Sequence, residues 1–165
     1  KLFRNVRGRY PLSPMKAVIQ RVSSASVTID GKIKSQIKNG LLIFLGIEIK
    51  DTKEDALWLA NKISALRIFA DKEGVMNKSV TEIDGEIIVV SQFTLHAKTK
   101  KGNRPSYIKA ARPKQAIPLY ESFKEDLSIA ICKEVKSGEF GADMKVCLIN
   151  DGPVTLIIDS RNRDL

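Results

Sequence analysis

The apolar residues of this chain are cut into short, often β-branched runs closed off by turn formers, and that pattern excludes most architectures. In MKAVIQRV (15–22) and ASVTID (25–30) the pattern is alternating or β-branched, as in a strand that buries one face. Asp30-Gly31, between ASVTI and KIKSQI, is a strong two-residue hairpin signal, so the chain is expected to open as an antiparallel meander. GLLIFLGI (40–47) is apolar throughout. Its length and its bounding glycines, Gly40 and Gly46, suit a fully buried strand rather than a core helix.

The period then changes. Asp51 or Thr52 can cap a helix, Glu54 and Asp55 favour its positive end, and Ala56, Leu59, Ala60, Ile63 and Leu66 recur at helical spacing. Trp58 falls at the edge of that stripe. DKEG (71–74) reads as a turn and EIIVVSQFTL (86–95) as a strand. Pro113 introduces a second long helix with Ile117, Tyr120, Phe123, Leu127 and Ile131 on its apolar face, and Pro118 in or near its first turn. MKVCLI (144–149) and VTLIID (154–159) read as two strands joined by a hairpin turn at Asn150-Asp151-Gly152-Pro153. Together these elements imply an α+β fold: a curved, mainly antiparallel sheet or barrel-like core with two long helices packed on one side.

At 165 residues, 43% of them hydrophobic and 28% charged, the chain suits a single core. Residues 1–14, KLFRNVRGRYPLSP, are basic, free of acids and begin without Met. They lack the apolar stretch of a secretory signal and only faintly suggest a transit peptide. They are read as an N-terminal extension, or a remnant of expression or start-site choice, ahead of one domain over 15–165. Apolar runs such as Leu41 to Leu45 fall far short of the roughly 20 residues of a spanning helix, so a cytoplasmic protein without membrane partners is expected. Cys132 and Cys147 show no metal or disulfide spacing and are read as reduced core thiols, and the lone His96 as a surface or strand-end residue. No metal or cofactor is expected.

The formal charge of +9 favours a polyanionic partner, although Lys1, Arg4, Arg7 and Arg9 supply part of it. The segment Lys98 to Lys114, KTKKGNRPSYIKAARPK, carries seven basic residues and no acid. A nucleic-acid backbone would neutralise Lys98, Lys100, Lys101, Arg104, Lys109 and Arg112, and Tyr107 could stack on a base. A solvated basic loop would read the same way. Ser91-Gln92-Phe93-Thr94 ends an apolar strand abruptly with polar groups, a place where backbone N–H groups can face a carbonyl as an oxyanion hole requires. Thr155 is a possible nucleophile, but no His or Lys lies near it in sequence to activate it.

In this order and spacing, four segments resemble the D-aminoacyl-tRNA deacylase family from Met15 to about Ile158: QRV (20–22), SQFT (91–94), KKGNRPS (100–106) and NDGPVT (150–155). The resemblance implies a homodimer acting on the 3′ acceptor end of aminoacylated tRNA, not DNA. It implies that Gly152 and Pro153, joined by a cis peptide and flanked by Asn150 and Val154, enter the partner's active site and exclude L side chains. Arg21 would hold that motif in place. Ser91, Gln92, Phe93 and Thr94 would form the catalytic surface, with the 2′-hydroxyl of the terminal adenosine assisting water. Glycyl-tRNA(Ala) would also be accepted. A Thr155 nucleophile and a non-enzymatic tRNA-binding module are the alternatives.

Overall fold

The computed structural model describes residues 14–163; the basic prefix before Pro14 lies outside the described residues. Six strands form one sheet whose spine is β1 (Lys16–Ile29). Two antiparallel partners share β1 end to end: β3 (Gly40–Gly46) covers Lys16 to Val22, and β2 (Lys32–Ile37) covers Ala25 to Ile29. The hairpin at Asp30-Gly31 is as expected, both residues adopting the positive φ, +49° and +75°, that such a short loop demands. The meander is not. The two opening runs fuse into one strand, and β3 returns to β1 instead of pairing with β2, because its all-apolar sequence needs a central position.

β8 (Lys145–Asp159) runs antiparallel to β1 from Lys16 to Thr28. β6 (Glu86–Ser91) joins β3 in parallel, and the two-residue β7 (Lys136–Ser137) joins β6. Lys136 Nζ then donates to the Gln36 carbonyl at 2.8 Å, and Glu86 accepts the N–H of Lys38 at 3.0 Å, which draws this side of the sheet toward β2. The result is a mixed sheet curled into a nearly closed barrel. β4 (Phe69–Ala70) and β5 (Met76–Lys78) form a separate small hairpin around the turn at Asp71 to Gly74.

Period-two alternation divides the buried residues between two clusters. Leu41, Ile43 and Leu45 of β3, with Ile87 and Val89 of β6, meet the helices; Leu42, Ile88 and Val90 face the barrel interior. The helices α1 (Lys53–Ala65) and α2 (Pro113–Ile131) bury Ala56, Leu59, Ala60 and Ile63, and Ala116, Leu119, Tyr120, Phe123, Leu127 and Ile131. Each fully buried large side chain here contributes about 1.5–3 kcal/mol. Asp55 accepts the N–H of Thr52 at 2.9 Å and so starts α1. Trp58 is half-buried at the core's edge, as expected, under the guanidinium of Arg163 at 4.3 Å.

Several expectations are corrected. Ile117 is exposed, because Ala116 and Leu119 carry the inward stripe, and Pro118 stands in the second turn of α2. The strand expected over 86–95 ends at Ser91, and Phe93–His96 forms a short 3₁₀ turn. Both cysteines are exposed, Cys132 as the left-handed cap of α2 and Cys147 on an outward position of β8. His96 is buried beneath Gly46, and burial pushes its pKa below the ordinary value. Among the described residues no helix is long and apolar enough to cross a membrane.

The largest correction concerns Asn150-Asp151-Gly152-Pro153. It is not a hairpin turn. Residues on both sides of it pair with β1 in the same antiparallel direction, Ile149 with Ser24 and Thr155 with Gln20. Between Val22–Asn150 and Gln20–Thr155, five residue steps of β8 oppose two of β1. The motif is therefore a large bulge within one strand, and the excess chain is pushed out of the sheet.

Candidate active site

The residues expected to carry chemistry fall into two groups that one chain does not bring together. The first surrounds a cavity of about 260 Å³ lined by Ser91, Gln92 and Phe93 on one side and by Ala111, Phe140 and Met144 on the other. Ser91 closes β6 opposite Leu45, and the N–H of Gln92 donates to the Leu45 carbonyl at 2.8 Å. The chain then turns at once, because Gly46 has no side chain. A Cβ there would stand 2.9 Å from Leu95 Cβ and 3.0 Å from the Gln92 carbonyl. Leu95 N–H and Ala97 N–H close the turn, whereas the N–H groups of Phe93 and Thr94 meet no backbone or side-chain acceptor among the described residues. Gln92 Nε2 is held by the Thr94 hydroxyl. Phe93, with its free amide, stands in the cavity wall and the amide of Thr94 follows one residue on, outside the lining; a free amide so placed can bind a developing oxyanion.

Proton-transfer groups are scarce here. Asp143 is the one carboxylate lining the cavity; its side chain is 85% exposed and pairs with Lys145 Nζ at 3.0 Å. His96 is absent from the lining, although it belongs to the same turn. Sequence reasoning missed the wall at Phe140 to Met144. That segment has no period, and its local signals are Gly141, at φ +80°, and Gly138, whose missing side chain lets Met144 approach.

The second group is the bulge. Arg21, its side chain only 15% exposed, donates from Nε to the Asp151 carbonyl at 2.9 Å and from Nη1 to the Ile68 carbonyl at 2.7 Å. Asn150 Oδ1 accepts the N–H of Val154 at 3.1 Å, and its amide donates to the Thr155 hydroxyl at 2.8 Å. Gln20 Nε2 reaches that hydroxyl too, at 3.3 Å. Thr155 therefore sits between two amides and no base. The Gly152–Pro153 peptide is cis, both residues are exposed, and Gly152 has φ +127°. A Cβ on Gly152 would come within 2.7 Å of Arg21 Nη2.

None of Asn150 to Thr155 lines the cavity of the same chain. β8 and β6 are separated by β1 and β3, three strand spacings or roughly 14 Å around the sheet. One group is a receptacle and the other a projection.

The basic loop borders the receptacle. Lys98 and Ser106 exchange backbone hydrogen bonds at 2.8 and 3.0 Å, which closes the turn carrying Lys100, Lys101 and Arg104. Tyr107 stands edge-on to Phe93, ring centres 5.1 Å apart. Among the described residues none of Lys98, Lys100, Lys101, Arg104, Lys109 and Arg112 forms a salt bridge. The loop is a cationic surface without an internal counter-charge.

A family model described as D-Tyr-tRNA(Tyr) deacylase matches residues 18–159, and the chain belongs to that family. It is an enzyme of D-aminoacyl-tRNA hydrolysis, with aminoacyl-tRNA as substrate. Among curated relatives, the D-aminoacyl-tRNA deacylase of Bacteroides fragilis is 65% identical over 150 residues, 91% of this chain and all of the relative. That of Flavobacterium psychrophilum is 66% identical over the same shares. The solved structure of a c-Myc DNA Unwinding Element Binding Protein superposes with a TM-score of 0.83 at 43% identity, covering 88% of this chain and 98% of that one. A probable eukaryotic D-amino acid tRNA deacylase, 17% identical with a TM-score of 0.77, covers 89% of this chain and all of its own, and shares the fold.

Proposed function

We propose that this enzyme works as a homodimer in the cytoplasm, each subunit lending its bulge at Gly152 and Pro153 to the cavity of the other. The observation that carries the reading is the separation of receptacle and projection within one chain. An outward bulge braced by Arg21 has a use if a second copy supplies the cleft it enters. There the carbonyls of Gly152 and Pro153 grip the α-amino group of the substrate. An L side chain then collides with the motif, while a D side chain, or the hydrogen of glycine in glycyl-tRNA(Ala), points away.

The free amides at Phe93 and Thr94 support a mechanism of positioning and oxyanion stabilisation in the SQFT segment, Ser91 to Thr94. An aminoacyl ester is already activated, and the terminal 2′-hydroxyl assists the attacking water, so no protein base is required. Thr155 as a covalent nucleophile is the second reading; its placement between two amide donors favours orientation of the bulge instead. Lys98, Lys100, Lys101, Arg104, Lys109 and Arg112 hold the phosphates of the acceptor strand, and Tyr107 a base. That same loop suits a non-enzymatic tRNA-binding module, which turnover would exclude.

The test pairs D-tyrosyl-tRNA with L-tyrosyl-tRNA. Release of the D-amino acid alone is expected, and equal rates on both would rule out selection by shape. A terminal 2′-deoxyadenosine should slow the reaction by about a hundredfold or more. Thr155→Ala should keep measurable turnover; complete loss with tRNA still bound would restore the nucleophile.

A further inference from the structure

A second cavity, about 680 Å³, opens beside the first and shares Phe93, Ala111, Phe140 and Gly141 with it. Its outer wall is formed by Ile49, Tyr107, Ile108 and Arg112. Four large apolar side chains meet solvent here: Ile49 is 51% exposed, Phe93 56%, Tyr107 37% and Ile108 71%. Such a concentration of exposed apolar surface marks a binding face. The Phe93–Tyr107 pair gives the cavity an aromatic wall, Arg112 lines it, and Lys109 is the neighbour in sequence of its residues Ile108 and Ala110. Flat apolar and aromatic walls beside a cation are the means by which proteins hold the bases of single-stranded nucleic acid.

We propose that this second cavity takes the base of the nucleotide preceding the terminal adenosine of the acceptor strand. The inference rests on the proposed function, in which the first cavity holds the aminoacylated end. If the ester sits against Ser91 to Thr94, the strand must leave past Phe93 and Phe140, and the next opening it meets is this one. The base is held by Ile49, Tyr107 and Ile108, and its phosphate faces Arg112 and Lys109. The contact is made by shape and stacking, so a pyrimidine fits without base-specific hydrogen bonds.

Three substrates separate base from phosphate: D-tyrosyl-adenosine, the same ester extended 5′ by an abasic ribonucleotide, and the same ester extended by cytidine. The wild-type enzyme should show a KM roughly tenfold lower for the cytidine form than for the abasic form. In an Ile49→Ser/Ile108→Ser variant, both positions being exposed and outside the core, that ratio should fall to about one. Equal KM values for abasic and cytidine forms in the wild type would overturn the proposal, as would a base-dependent gain that survives in the variant. Sedimentation of the variant as a monomer would also overturn it, since the face would then be a subunit contact. If the wild type hydrolyses none of the esters, the proposed function fails. Binding of the three compounds as non-hydrolysable amides then decides the cavity separately, by the same cytidine-to-abasic ratio.

Discussion

The end of β6 and the middle of β8 are built from similar materials, small polar residues interrupting an apolar strand, yet they do opposite things. At Ser91 the strand stops, Gly46 gives it room to turn inward, and Ser91, Gln92 and Phe93 line a cavity. At Asn150 the strand does not stop; it bulges outward and resumes its pairing at Thr155. The difference lies in the neighbours. β6 lies between β3 and β7 and loses its partner where β3 ends at Gly46, whereas β8 keeps β1 on one side and has no strand paired on the other among the described residues. The first device receives and the second is presented.

The largest loss is expected when the projection is damaged. Gly152→Ala adds a methyl at φ +127°, within 2.7 Å of Arg21 Nη2, and should reduce deacylation by about a hundredfold or more, while the strain of about 1–3 kcal/mol lowers the melting temperature by only several degrees and leaves the protein folded at the assay temperature. Ala111→Phe, which fills the cavity, should be as severe. Mixing the two inactive proteins should restore a substantial fraction of wild-type turnover, because one intact receptacle can then meet one intact projection. No recovery, with mixed dimers demonstrated by mass spectrometry, would show that both devices act within one chain.

A smaller effect is expected from the brace. Arg21→Lys keeps the charge but cannot donate to the Asp151 and Ile68 carbonyls together, and should lower kcat/KM about tenfold. The loss should be greater for D-tyrosyl-tRNA than for glycyl-tRNA, so relative rates on the two substrates check whether the brace serves selection.

The sequence made the receptacle's strand and the projection's letters legible, but not their geometry. Asp30-Gly31 was readable because the demand for positive φ is local, as were α1, through Thr52 and Asp55 three residues apart, and α2, through Pro113 at its start. Asn-Asp-Gly-Pro carries the same local signals as a hairpin turn. What distinguishes a bulge is pairing with Ser24 and Gln20, more than 120 residues away. The cavity wall at Phe140 to Met144 was invisible for a related reason: its role comes from Ser91 and Ala111 opposite. SQFT and NDGPVT are singled out as candidate site segments by family resemblance, since single strand ends and turns specify little.

The smallest predicted effect tests whether the far end of β8 is held independently of the projection. There Arg161 Nη2 bonds Asp51 at 3.2 Å and Asp55 at 3.0 Å, and Ser160 donates to Asp55 at 2.8 Å. Burial outweighs these bonds at Asp51 and raises its pKa to about 7. A carboxyl whose folded pKa exceeds its unfolded value stabilises the fold when protonated, so this contribution is complete below about pH 4 and lost as pH rises through 7. Asp51→Asn should flatten that part of the dependence of melting temperature on pH, and leave the ratio of D to L rates unchanged.

The pairing of β1 with β8 has a consequence for biosynthesis. The opening strand of the sheet waits for the closing one along nearly its whole length, from Lys16 to Thr28. Until the ribosome has delivered residues 145–159, that seam stays unzipped and its backbone groups face water. Maturation is therefore gated by translation of the very stretch that carries the bulge.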